Sequence, residues 1–249
     1  MKLKLLVFLL FFIRFASAQI VNIEALRVKN DSSRWSGLEN FNFSLVKNKA
    51  QLVTVNNKLA VQYIKNRSTT LFLSDVNFSF SEDSDFERGG FWHLRYGYNI
   101  SEPVTIEAFT QYQINIPLRI EERILFGMGP RFRLLDKDRH HFFLGTLVMY
   151  EHDQELDSTL HRNMRGSAYM SYTYKNEGIF NFSTIAYYQP RLDYFSDYRL
   201  SWQSSLQFKL WANFMFVING GLAYDAFPAK GGEIPNLTYK LTNGISYSF

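Results

Sequence analysis

The segment Leu237-Thr-Tyr-Lys-Leu-Thr-Asn-Gly-Ile-Ser-Tyr-Ser-Phe249 alternates with a period of two. Leu237, Tyr239, Leu241, Ile245, Tyr247 and Phe249 fall on one face, and Thr238, Lys240, Thr242, Ser246 and Ser248 fall on the other. Such alternation specifies a strand between two unlike environments. A last strand that carries an apolar face to a terminal aromatic has the form of the closing strand of an outer-membrane barrel. Phe249, with Tyr247 on the same face, is therefore expected to be an assembly signal, read by the barrel-assembly machinery through this strand.

The other end of the chain fits export. Lys2 and Lys4 precede the apolar run Leu5–Ile13, and Ala16-Ser-Ala18 is a small-residue cleavage site. Residues 1–18 read as a signal peptide, 19–33 as a short periplasmic lead-in, and 34–249 as one barrel domain. Three of the 27 basic residues (Lys2, Lys4, Arg14) lie in the leader, which leaves 24 against 23 acidic ones. The formal net charge of +4 is thus mostly the leader's, and no nucleic-acid partner follows from it. With Cys 0, disulfides and thiolate metal sites are excluded.

Past the leader no apolar run is long enough for a spanning helix. A membrane protein without such helices must be a closed barrel, because only closure satisfies every backbone group in lipid. Alternating segments of about ten residues recur as a barrel requires. The expected strands are 35–45, 50–64, 69–80, 90–100, 104–116, 118–135, 140–153, 163–174, 179–189, 198–210, 213–226 and 237–249. The fold class is all-β: an antiparallel, up-and-down transmembrane barrel of about 12 strands with periplasmic termini. Tight links after every second strand read as periplasmic turns. Longer links at 81–89, 154–162, 190–197 and 227–236 read as outer loops, and the rim should be low near Asn48 and Pro117. Trp35, Trp92, Trp202 and Trp211 sit near strand ends, as girdle residues do. A soluble barrel with an apolar interior would show the same periodicity. The aromatic chain end, the strand number and the size favour the membrane form, whose exterior partner is outer-membrane lipid.

Several short patterns fall at these strands. Trp35-Ser-Gly-Leu-Glu-Asn40 opens the first, Met149-Tyr-Glu-His152 closes the seventh and Arg165-Gly-Ser-Ala-Tyr169 opens the eighth. Tyr188-Gln-Pro190 ends the ninth, and Asp197-Tyr-Arg199 follows it. Their order and spacing resemble the DUF481 family of outer-membrane proteins, which includes salt-induced members. The sequence departs from that pattern at the first hairpin, Val46-Lys-Asn-Lys49. The resemblance implies an outer-membrane barrel and no particular reaction, substrate or cofactor.

The polar faces supply the candidate site, a lumen charge network. Arg119, Glu121, Arg123, Glu151, Arg165, Arg199 and Asp225 are expected inward in the outer half, with Glu107, Arg131 and Arg133 inward in the periplasmic half. Such charges need partners or water. They either plug the lumen or line a passive, anion-preferring route for small solutes or ions. Gly127 and Gly129, inward on the sixth strand, read as relief of crowding or a bend. An outer loop holding Glu151, His152, Asp153, Glu155, Asp157, Ser158 and His161 offers a lesser alternative, a surface hydrolase using Ser158 and His161. No catalytic motif brackets that pair. His140 and His141 at an inner turn carry no assigned role, and no cofactor or metal is expected.

Overall fold

The computed structural model describes residues 34–47, 51–81, 84–176, 179–229 and 234–248. The expected leader, the lead-in, Asn48 and Phe249 lie outside them. Twelve strands form a closed barrel: β1 (Arg34–Lys47), β2 (Gln51–Lys65), β3 (Ser68–Ser81), β4 (Ser84–Ser101), β5 (Val104–Asn115), β6 (Ile120–Lys137), β7 (His140–Glu155), β8 (Leu160–Asn176), β9 (Phe180–Pro190), β10 (Tyr198–Trp211), β11 (Phe214–Asp225) and β12 (Leu237–Ser248). Each pairs antiparallel with its sequence neighbour, and β1 closes on β12 through Leu38↔Ser248 and Glu39↔Tyr247. Arg34 and Ser248 lie at one end, called here the terminal end; the opposite end is distal.

Turn chemistry follows the backbone. Asn66 and Asp138 take φ of 53° and 45° in terminal-end hairpins. These residue types tolerate the left-handed region because a short polar side chain can bond locally. At the distal end Asn115 caps a 3-10 turn (Ile116–Leu118), its Oδ1 accepting from the Leu118 N–H at 3.1 Å. Pro117 is the second residue of that turn, and this link is short, as expected.

Alternation decides the faces. Phe41, Phe43 and Leu45 of β1, Trp92, Leu94, Tyr96 and Tyr98 of β4, and Leu237, Tyr239, Leu241, Ile245 and Tyr247 of β12 are all exposed on the exterior. An apolar surface this continuous is unfavourable in water and suits a hydrocarbon surround. No helix among the described residues is long and apolar enough to cross a membrane.

Two expectations about the connections are corrected. The segments 81–89 and 154–162 are not long loops. β4 begins at Ser84, while β7 runs to Glu155 and β8 starts at Leu160, so both hairpins rise as paired strands. Cross-strand hydrogen bonds continue where both faces have become polar and hydrophobic alternation carries no signal.

The lumen is not uniformly polar. Ala60, Leu71, Leu73 and Phe91 pack with Leu38 on one wall. Leu147, Tyr169, Ile185 and Tyr187 pack with Phe109 on the other. Glycines make room for the second cluster. A Cβ on Gly127 would strike the Phe109 ring, and one on Gly145 would strike the Tyr169 ring. Gly129 instead backs onto the backbone of Thr146 and Leu147.

Candidate functional site

The distal half of the lumen is built from β6, β7, β8, β10 and β11. Register puts Arg123 opposite Asp153, Leu125 opposite Glu151, Glu151 opposite Asn163, and Arg199 opposite Asp225. Side chains two apart on one strand share a face, so Glu151, Asp153 and Glu155 point inward together.

Glu151 is the hub. It is fully buried, and its Oε1 accepts from Arg165 Nε at 3.2 Å. Its Oε2 accepts from Arg199 Nη1 and lies 3.9 Å from Arg123 Nε. Arg123 Nη2 also donates to Asp153 Oδ2 at 2.5 Å, and Arg199 Nε to Asp225 Oδ2 at 2.9 Å. One carboxylate thus gathers three guanidinium groups from three strands, and neighbouring carboxylates offset the excess positive charge. Buried ions require such complete pairing, since an unmatched one keeps its desolvation cost.

Arg165 does more than pair. It is 2% exposed and donates to Asp197 Oδ1 at 2.9 Å and to the carbonyls of Gln189 and Asp197 at 3.2 and 3.3 Å. It pins the link 191–197 over the lumen. Arg191 closes the same link, donating to Asp197 Oδ2 at 3.2 Å and to Asp193 at 2.7 and 2.9 Å. The hydrogen bond from Arg191 holds the Asp193 carboxyl below the usual carboxylate range. A depressed carboxyl pKa means the pair contributes at neutral pH and is lost only as pH falls through that lowered value. Replacing Asp197 with Ala should release the link. Trypsin is then expected to cut after Arg191 at least about tenfold faster than in the parent, as loss of hydrogen bonds to charged groups implies. Equal cleavage rates would mean that other contacts hold it.

These residues line a cavity of about 470 Å³. Below it lies one of about 80 Å³, and the two share Gln113, Arg123, Glu151 and Arg199 as walls. In the terminal half Glu107 forms a second centre. Its Oε2 accepts from Arg95 Nη1 at 2.7 Å and from the Tyr169 hydroxyl at 2.9 Å, and Arg131 lies 3.9 Å from Oε1. Tyr169 belongs to β8 and Glu107 to β5, so this bond bridges the inner faces of β6 and β7. Arg95 Nε donates to His93 Nε2 at 3.3 Å, which fixes the ring proton on Nδ1, facing Gln111 Oε1 at 3.0 Å.

The chain can now be placed among known proteins. A family profile described as "Protein of unknown function, DUF481" matches residues 40–249. The chain belongs to the DUF481 family. Comparison with curated proteins gives no significant match. Among solved structures, a NanC porin superposes with a TM-score of 0.50 at 10% identity, covering 86% of this chain and 98% of that one. A KdgM porin gives 0.45 at 10% identity, covering 87% and 99%. At such identity the NanC likeness establishes a shared barrel fold and nothing further.

Within this DUF481 barrel, Arg123, Glu151, Arg165, Arg199 and Asp225 come together as the alternation of their strands implies. Glu107 and Arg131 meet in the terminal half. Arg133 stands apart, paired with Asp136 at 3.2 Å near the terminal end. Glu121 is a correction. Residues 121 and 122 both fall between the pairs Asn115↔Ile120 and Gln113↔Arg123, opposite Ile114, so a β-bulge turns both outward. Glu121 accepts from Gln154 at 2.9 Å, and Ile120, expected outside, is buried and lines the cavity. Arg119 is also outside the network, on the turn before β6 with φ of 57°.

The segment weighed as the lesser, hydrolase alternative is a hairpin. His161 Nε2 faces Glu155 Oε1 at 3.0 Å rather than the Ser158 hydroxyl, and His152 lies on the outward face of β7. Asp153, Asp197, Arg191, Arg95 and Tyr169 are members of these two centres that the lumen network omitted. Asp153 and Arg95 were available by counting in twos from Glu151 and Trp92's inward neighbour His93. Asp197 lies within the Asp197-Tyr-Arg199 pattern.

Proposed function

We propose that this chain is an outer-membrane barrel acting as a narrow passive pore whose lumen is partly plugged by its own side chains. The observation that carries this reading is the pair of stacked cavities. Their shared walls at Arg123, Glu151 and Arg199 are residues of the inward-facing ion-pair network, with Gln113 beside them. A narrow route for small solutes or ions needs such side chains to yield slightly, whereas a structural plug needs none of the space above and below them.

The terminal half supplies the anion preference. Arg95, Arg131 and Arg133 there outnumber Glu107 and Asp136, and Lys175 and Lys209 share the inward register of their strands. A basic constriction favours anions. Insertion is assigned to the closing strand, with Tyr247 packed at 5.1 Å against Phe214 and Phe249 following it as the signal.

Planar-bilayer recording of the purified barrel tests the reading. We expect small, stable conductance steps, with a reversal potential under a salt gradient displaced toward the anion. A silent bilayer, with the barrel shown to be inserted, would mean that the lumen is closed and that the chain serves the envelope structurally.

A further inference from the structure

The distal cavity has a charge balance opposite to that of the terminal half. Among its described lining residues, four arginines (Arg123, Arg165, Arg191, Arg199) face six carboxylates (Glu151, Asp153, Glu155, Asp157, Asp197, Asp225). Every one of those arginines already bonds a carboxylate. The surplus of two therefore sits near the rim, at Glu155 on β7 and at Asp157 on the turn after it, while Asp153 below them is shared by Arg123 at 2.5 Å and Arg199 at 3.7 Å. Among the described residues, the ionic neighbour of Glu155 is the half-exposed His161 ring at 3.0 Å. Asp153 is 5% exposed, and its Oδ1 has no hydrogen-bond partner while Oδ2 is taken by Arg123. A buried acceptor without a donor is unfavourable, and a donor arriving from the cavity would satisfy it.

The facing side of the cavity has different chemistry. Tyr194, on the link before β10, and Phe227, on the link after β11, stand 5.7 Å apart at 55° and are both about half exposed. Ring faces beside a negative wall attract cations and cover apolar groups. The volume of about 470 Å³ is that of a small-molecule site. Among the described residues no three His, Asp or Glu side chains converge as metal ligands, so a compact divalent ion is the poorer match. We infer that this vestibule binds organic ammonium ions with an aromatic or apolar tail, the ammonium against Glu155 and Asp153 and the tail against Tyr194 and Phe227. The inference goes beyond the pore reading: it assigns a ligand to the distal mouth and not the ion that crosses the terminal half.

Calorimetry of the full barrel in detergent micelles tests it, with 2-phenylethylammonium as the probe and 2-phenylethanol and 3-phenylpropionate as neutral and anionic counterparts. The ammonium should bind at least about tenfold more tightly than either, the difference expected from one charge-assisted hydrogen bond. Glu155→Gln, at the rim and outside the arginine network, should remove most of that preference, and Tyr194→Ala should weaken both aromatic cations and the neutral alcohol. Equal binding of ammonium and alcohol by the parent protein would overturn the inference without recourse to any variant. Ammonium binding beside a silent bilayer would uphold the site and overturn the pore, whereas conductance without ammonium binding would do the reverse.

Discussion

Glu151→Ala is expected to destabilise the barrel by about 3–5 kcal/mol, the cost of leaving a buried partner charge uncompensated. Glu151 is the only carboxylate among the described residues that touches Arg123, Arg165 and Arg199 together. Its removal does not free a single cation. Arg165 keeps Asp197, Arg199 keeps Asp225, and Asp153 still faces Arg123 and Arg199, but no carboxylate then joins all three guanidinium groups. Urea unfolding followed by tryptophan fluorescence in lipid vesicles would read the shift. Glu151→Gln should fall between parent and Ala, because the amide oxygen still accepts one hydrogen bond while the charge is gone. A loss under about 1 kcal/mol for Ala would show that water reaches the arginines, as it does for exposed pairs, and that the hub is a wet ring rather than a closure. The double replacement Glu151→Gln with Arg199→Gln should recover part of the loss, since removing both partners of a buried pair costs less than removing one.

How far these centres could be read from the chain depends on what alternation encodes. A strand with lipid on one side and a wet lumen on the other writes both faces into its sequence, so the twelve strands and the relative heights of Arg123, Glu151, Arg165 and Arg199 were legible. The bulge at Glu121 was not. In Arg119-Ile-Glu-Glu-Arg-Ile124 only Glu122, a charge in register with Ile120 and Ile124, interrupts the alternation, and the place of the extra residue is decided by the shorter β5 opposite it. The rise of β7 and β8 past Asp153 was hidden for a related reason. Glu151, Asp153 and Glu155 point inward and His152 and Gln154 outward, so both faces are polar and the pattern resembles a loop. The bond between Tyr169 and Glu107 was beyond reach of any periodicity. It joins residues 62 apart and needs Gly145 to clear space for the Tyr169 ring. Single-strand patterns carry face and height; what crosses the lumen depends on the volumes of side chains from several strands at once.

Tyr169→Ala is expected to raise single-channel conductance several-fold, the largest functional change foreseen for one substitution. The Tyr169 ring is 2% exposed, fills the space left by Gly145, packs 5.4 Å from Tyr187, and reaches Glu107 on the far side of β6 and β7. It therefore fills lumen behind Phe109, Leu147 and Tyr187, which wall the small cavity. Truncating a buried ring usually costs about 3–5 kcal/mol. Here the cost should be lower, because the vacated space borders Arg95 and Glu107 and is polar enough for water. Tyr169→Phe separates the two contributions. It keeps the ring and removes only the hydroxyl donor to Glu107, so conductance should match the parent while stability falls by about 1.5–3 kcal/mol, the range for a hydrogen bond to a charged group. Bilayer recording and urea titration of the same preparations would read both. If Tyr169→Ala conducted no better than the parent, the obstruction would lie with Leu71, Leu73 and Phe91 on the opposite wall, and the route through the shared Arg123, Glu151 and Arg199 walls would be wrong. If the parent were silent and Tyr169→Ala conducted, the tyrosine would be the plug itself, and the basic terminal half would then set the ion preference of the opened barrel.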